Sequence, residues 1–232
     1  MKRMNVPVTI GPEAYASWRK TLLGVVPEAI EKRLIFDLMD NLEGRRILDV
    51  GCGYGVLVCT TASQGAESTG VDPDPEMIAA ARARARKAGL KTTFIEGQIE
   101  QLPFPDGSFD VVVAVTVLCF VPDPSGAVRE MARVLRAGGR LVLGELGRYS
   151  IWAMIRCLLG WLGSAIWKEV RFRTAAELRI LAENAGLTVS SVQGGVFYPP
   201  IGVFARILAP LDLWMGRLTT FGAAFIGLLA VR

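Results

Sequence analysis

The chain has 232 residues, 51% of them apolar, enough to bury one large core, so a single domain is expected. It holds no histidine, which excludes Ser-His-Asp and Cys-His catalysis and any imidazole base. Its four cysteines lack the spacing of a zinc site or a disulfide framework, so no metal is expected, and the net charge of +4 comes without the aromatic-interleaved basic track of a nucleic-acid binder.

No window reaches the roughly 18 uninterrupted apolar residues of a membrane span. Residues 150–167 come nearest, interrupted by Arg156. No apolar run follows the basic residues near Met1, so no secretory signal is expected and a cytoplasmic location is the default.

Residues 1–44 read as helical in two pieces, broken at Gly24 and Pro27. From residue 45 onward short β-branched runs alternate with helical patterns, which calls for parallel strands joined by helical crossovers. Strands are expected at 45–50, 67–72, 91–96, 109–115 and 140–145, with late strands at 187–192 and 223–231. The run FDVVVAV at 109–115 is apolar almost throughout, as a strand buried on both faces must be, and marks the sheet centre. Helices are expected at 56–64 and at 75–88, where Pro75 and Glu76 suit a first turn. Asp123 and Pro124 open another through Val134, closed by Gly138 and Gly139. The capping-box pattern Thr174-x-x-Glu177 opens a helix that Gly186 closes. Residues 150–171 stand outside this rhythm as an insertion, apolar on every face of a helix over 151–167.

The first strand runs into Asp49-Val-Gly51-Cys-Gly53-Tyr-Gly55. Glycines at every second position let the backbone turn sharply and approach a ligand closely, and a helix N-terminus follows. Asp72 ends the second strand about twenty residues on, where a carboxylate can accept hydrogen bonds from both ribose hydroxyls. Dinucleotide enzymes use G-x-G-x-x-G facing a pyrophosphate. Here the pattern is G-x-G-x-G with Asp49 ahead of it, a carboxylate that repels pyrophosphate and suits a positive amino group or sulfonium.

ILDVGCGYG (47–55), GVDPDPEMI (70–78), GQIEQLPFPDGSFDVVV (97–113) and REMARVLRAGGRLVLGE (129–145) resemble the successive motifs of class I S-adenosylmethionine-dependent methyltransferases. The likeness is strongest to the small-molecule group that includes the ubiquinone and menaquinone C-methyltransferases. It implies an α/β, Rossmann-like, doubly wound seven-stranded sheet of order 3-2-1-4-5-7-6 with strand seven antiparallel, GAAFIGLLAVR (222–232) matching the final strand. It divides the chain into an N-terminal helical lid, 1–44, and a methyltransferase domain, 45–232, carrying the apolar insertion at 150–171.

The resemblance implies S-adenosyl-L-methionine as cofactor, leaving as S-adenosyl-L-homocysteine. Gly51 and Gly53 would line its methionine part with Asp49 near the amino group, and Asp72 would hold the ribose. Met77 and Ile99 would flank the adenine, and Gln98 stands where the family usually has Asp to accept a bond from the adenine amino group. Cys52, Pro73 and Val115 complete the cofactor-side set.

Methyl transfer from a sulfonium is an in-line displacement that positioning can largely accelerate, so no catalytic base is assigned. On the acceptor side, Tyr15 and Trp18 resemble the Y-x-x-W lid of many such enzymes; they also fit as aromatics at i and i+3 packing a helix onto the core. Cys119 lies on the carboxyl edge of the sheet, where ligands bind, and the thiol fits packing equally. Trp152 represents the insertion, which suits an apolar acceptor pocket, plain burial, or shallow docking on a bilayer. The expected activity is therefore methylation of a small, hydrophobic or lipid-like molecule. A catalytically silent cofactor-binding module and an RNA or protein methyltransferase are the alternatives.

Overall fold

The computed structural model describes residues 22–199, 211–212 and 214–232. Seven strands form one sheet: β1 (Arg46–Val50), β2 (Glu67–Asp72), β3 (Thr93–Glu96), β4 (Phe109–Val115), β5 (Leu135–Leu146), β6 (Thr188–Gly195) and β7 (Phe225–Val231). Their order is β3-β2-β1-β4-β5-β7-β6, parallel except for β7, which runs antiparallel to both β5 and β6. This is the expected Rossmann-like order, with its reversed final strand.

The helices are α1 (Leu22–Met39), α2 (Val56–Ser63), α3 (Pro75–Lys87), α4 (Pro124–Val134), α5 (Ile151–Trp161), α6 (Ala165–Glu169) and α7 (Ala175–Asn184). Successive strand residues point to opposite faces, so each central strand feeds two cores. Leu48, Val112 and Leu141 pack on one face with Val128 and Met131 of α4 and Leu178 of α7. Ile47, Val111, Val113 and Val142 pack on the other with Ile30, Leu34, Ile35 and Leu38 of α1. Each such side chain stabilises the fold by roughly 1.5–3 kcal/mol when fully buried.

Capping fixes where the helices start. Asp123 accepts from the Gly126 N–H at 3.0 Å with Pro124 in the first turn. Thr174 and Glu177 exchange both bonds of the capping box, at 2.7 and 3.2 Å. Gly186, at φ 78°, follows the last turn of α7 as expected.

Several boundaries differ from the sequence reading. Gly138 and Gly139 do not close α4, which ends at Val134; they lie inside β5. Phe109 pairs with Leu135 and Val111 with Arg140, so residues 136–139 bulge out of register, with Gly138 at φ 72° and a Cβ on Gly139 only 2.8 Å from the Arg136 carbonyl. α1 runs unbroken through Gly24 and Pro27. Pro27 removes one rung, and the buried Ile30, Leu34, Ile35, Leu38 and Met39 tie the helix to the sheet and offset that loss. β3 begins at Thr93, not residue 91.

Strands β1, β2, β3, β4 and β5 all run the same way, so residues 51–55, 73–74, 97–99, 116–121 and the start of α5 gather on one edge of the sheet. β7 runs the other way and begins there, Phe225 facing Leu146.

Candidate active site

The turn at 51–55 is held to β2 by its backbone: the Gly51 and Cys52 N–H groups both donate to the Val71 carbonyl, at 2.8 and 3.0 Å. Its three glycines, all at positive φ, serve different ends. A Cβ on Gly55 would strike Ala81 and Phe94 at 2.9 Å, so this residue lets α2 close onto α3 and β3. A Cβ on Gly51 would lie 2.5 Å from Val117 Cγ2. Gly53 has nothing within 4 Å of a Cβ, so its backbone faces open space where a ligand can approach.

Asp72, at the end of β2, spans the gap between the two turns. Its Oδ2 accepts the Gly53 N–H at 2.8 Å and its Oδ1 the Asp74 N–H at 3.0 Å. Burial raises its carboxyl above the ordinary range while those two N–H groups pull the other way. Asp49 is 5% exposed, and burial, reinforced by the charge of Asp72, pushes its carboxyl up to about 8. Among the described residues neither carboxylate has an ion-pair partner. Two buried acids without a cation, beside an open glycine backbone, fit a ligand that brings its own positive charge and a diol.

Gly97 N–H donates to the Asp72 carbonyl at 3.1 Å, bringing 97–99 beside β2. Ile99 and Met77 are buried, whereas Gln98 and Pro73 are exposed and Val115 is half-buried. The Cys52 thiol lies in the contact zone of Gly70, where a Cβ would come within 2.7 Å of its sulfur, and burial raises its ionisation far above the usual thiol range. It fills space under the turn.

Sequence reasoning missed three supports. Arg84 of α3 donates from Nε to the Tyr54 carbonyl at 3.0 Å and lies over the Tyr54 ring at 4.9 Å, bracing the glycine turn. Thr116 takes φ 53°, and Val117 and Leu118 donate their N–H groups to Glu145 at 3.1 and 2.8 Å. The only local signal for the last was a lone acid in the apolar strand RLVLGEL.

Residues 48–143 match the methyltransferase domain family. A ubiquinone biosynthesis O-methyltransferase of Idiomarina loihiensis is 33% identical over 169 residues, which cover 69% of this chain and 68% of that protein. The protein of the same name from Azorhizobium caulinodans is 33% identical over 199 residues, 82% of this chain and 78% of its own. The chain belongs to the S-adenosylmethionine-dependent methyltransferases. Its cofactor is S-adenosylmethionine, released as S-adenosylhomocysteine after transfer.

The solved fold of a methyltransferase from Thermotoga maritima superposes on this methyltransferase with a TM-score of 0.70 at 24% identity, covering 94% of this chain and 95% of that one. Magnesium protoporphyrin IX methyltransferase from Synechocystis, with bound S-adenosylhomocysteine, does so at 0.68 and 18% identity, covering 95% of each.

On the acceptor side of the methyltransferase, Cys119 and Trp152 turn inward. Cys119 is fully buried among Leu146, Ala153, Val170 and Phe172, and burial, then the Glu145 charge, raises its thiol well above the usual range. Its position on the carboxyl edge is as expected, but it presents no surface to an acceptor and packs instead. Trp152 is also buried and donates its indole N–H to the Tyr198 carbonyl at 2.8 Å, anchoring α5. Tyr15 and Trp18, with the rest of residues 1–21 of the segment expected as a lid, lie outside the described residues. Among the described residues no group of acids and cysteines could hold a metal, and no helix is long and apolar enough to cross a membrane.

The insertion is not apolar burial on every face. Ile151, Met154, Leu158, Leu159, Trp161 and Leu162 are exposed, Trp161 at 83%.

Proposed function

We propose that this methyltransferase acts on a small, apolar, lipid-like acceptor at a hydroxyl oxygen. The observation that carries the reading is the exposed apolar face of α5, placed on the edge of the sheet that also holds the glycine turn and Asp72. The names of its relatives support an oxygen acceptor on a quinone precursor. In the transfer, the acceptor oxygen forms the new C–O bond as the C–S bond breaks, the sulfonium becomes a neutral thioether, and the hydroxyl proton passes to water. The protein contributes alignment, with the nucleophile about 3 Å from the methyl carbon.

We extend the reading to peripheral contact with a membrane. Tyr149, exposed beside α5, lies 6.2 Å from the ring of Phe221, so the apolar surface there extends onto the exposed Phe221 ahead of β7. Contiguous exposed apolar surface of this kind marks a docking or ligand surface. Lys168 and Arg171 border it in sequence beside Glu169, while Arg148 is paired with Glu177 at 2.8 Å, and the small basic excess favours an anionic lipid surface.

The test is transfer of labelled methyl groups from S-adenosylmethionine to hydroxylated polyprenyl aromatics, to bulk RNA and to proteins, with calorimetry of S-adenosylhomocysteine and NAD. Label in the organic extract alone is expected, with binding of S-adenosylhomocysteine and not NAD. Label in RNA or protein alone would sink the acceptor class, and binding without transfer to any acceptor would favour a silent module. Co-sedimentation with anionic vesicles, lost in Trp161→Glu, checks the membrane contact.

A further inference from the structure

Glu145 is fully buried near the end of β5, where its strand neighbours are apolar or glycine. Burying a carboxylate there costs several kcal/mol unless partners compensate. An apolar residue would serve the strand better.

Its partners lie on the edge that carries the site. Oε1 accepts from two consecutive N–H groups, Val117 at 3.1 Å and Leu118 at 2.8 Å. These follow Thr116, a β-branched residue at φ 53°, whose conformation costs about 1–3 kcal/mol and persists only where surroundings hold it. Arg173 grips the same turn from the other side, donating from Nη2 to the Leu118 carbonyl at 3.1 Å. Glu145 Oε2 and Arg173 Nε are both buried without a hydrogen-bond partner. The turn is thus clamped by a carboxylate on its N–H groups and a guanidinium on its carbonyl. What the clamp presents is Val117, whose side chain occupies the space beside Gly51 that a Cβ would need.

We propose that Glu145 is a positioning residue for the cofactor: it holds the turn after β4 so that Val117 braces Gly51 and keeps the glycine turn in its binding shape. The proposal rests on the glycine turn being the methyl donor's cradle. Glu145 acts through Val117 and touches neither donor nor acceptor. Burial also pushes its carboxyl up to about 7, with the two N–H groups and Arg173 opposing, as expected of a carboxylate retained for its acceptor capacity.

S-adenosylhomocysteine binding by calorimetry and thermal unfolding of the unliganded protein test this in Glu145→Gln, Glu145→Leu, Val117→Ala and Glu145→Gln/Val117→Ala. Gln keeps a carbonyl for the two N–H groups but loses the charge, so binding weakens about three- to tenfold while the unfolding midpoint at pH 8 holds or rises. Leu orphans both N–H groups and weakens binding further. The double variant binds no worse than its weaker parent, because both substitutions break one linkage. Binding within twofold of the parent protein in Glu145→Gln, or full additivity in the double variant, overturns the proposal even if Glu145→Leu does not fold. Asp72→Ala separates the two readings: loss of binding there is expected, and normal binding would remove the cradle itself.

Discussion

Asp49→Asn removes an acid that no cation answers among the described residues. Burial moves its carboxyl from 3.8 to about 8, so near neutrality the unliganded protein holds it protonated while the unfolded chain ionises it. Protons are bound more tightly in the folded state, so this group's contribution to stability is complete below about pH 4 and is lost as pH rises through about 8. At pH 7 the gap is roughly three pH units, which at about 1.4 kcal/mol per unit sets an upper bound of ~4 kcal/mol. Asparagine has the same shape and stays neutral throughout. The variant should therefore be the more stable protein at pH 8, by roughly 5–15 °C for a domain of this size, and the difference should shrink toward pH 5. With the cofactor's ammonium group beside Asp49, as the resemblance implies, binding would reverse the preference by favouring the ionised form. The parent protein should then bind S-adenosylhomocysteine more tightly between pH 6 and 8 and release a proton on binding, and the variant should bind at least about tenfold more weakly with a flatter pH dependence. Scanning calorimetry from pH 5 to 9 and titrations in two buffers of different ionisation heat measure both effects. Parallel stability curves, or a variant less stable than its parent at pH 8, would refute the reasoning.

The glycines of the turn should separate stability from binding. Gly53→Ala meets only the strain of φ 50°, about 1 kcal/mol, so its melting point falls little, yet its methyl enters the open space over the cradle and should weaken S-adenosylhomocysteine binding about tenfold or more. Gly51→Ala adds a 2.5 Å clash with Val117 to similar strain, so its melting point should fall further; equal losses in the two variants would count against this division. Arg133 donates to Asp106, Glu130 and the carbonyls of Leu102 and Phe104, pinning the loop after β3. Arg133→Met should cost about 2 kcal/mol, most of it persisting in denaturant titrations at 1 M salt because carbonyls are among the partners lost. A loss that disappears at high salt would show the ion pairs alone to matter.

How much of this was legible in the sequence depended on the distance between partners. The strands of the sheet and the cradle of Asp49, Gly51, Gly53 and Asp72 follow from runs and spacings within some twenty residues, and the structure places them on one edge. Gly138 and Gly139 were misread because a helix end and a β-bulge leave the same two-glycine trace. The pairing of β5 with β4, a contact made across the sheet, decides between them. Pro27 breaks a helix by local rules, and the apolar face that follows overrides them. The bonds from Val117 and Leu118 to Glu145 span 28 and 27 residues, and no spacing announces them. Cys119 shows the same limit, since a residue just past a strand end can face the cleft or the core, and only packing against Val170 and Phe172 settles it.

The insertion sets its half-buried Arg156 against aromatic rings while several of its apolar side chains face outward. Arg156 lies over the rings of Trp152 and Trp167, at 5.1 and 4.8 Å, and Gly160 lets the backbone at Trp167 approach so closely that a Cβ would sit 2.9 Å from its carbonyl. α5 and α6 thereby close around the only cation of α5. A helix needing only solubility would turn that cation outward and its leucines inward. This one exposes Met154, Leu158, Trp161 and Leu162 while its half-buried guanidinium stacks on aromatic faces. The arrangement exposes apolar area on the edge that carries the glycine turn and Asp72, and it is this exposure that supports the proposed lipid-like acceptor.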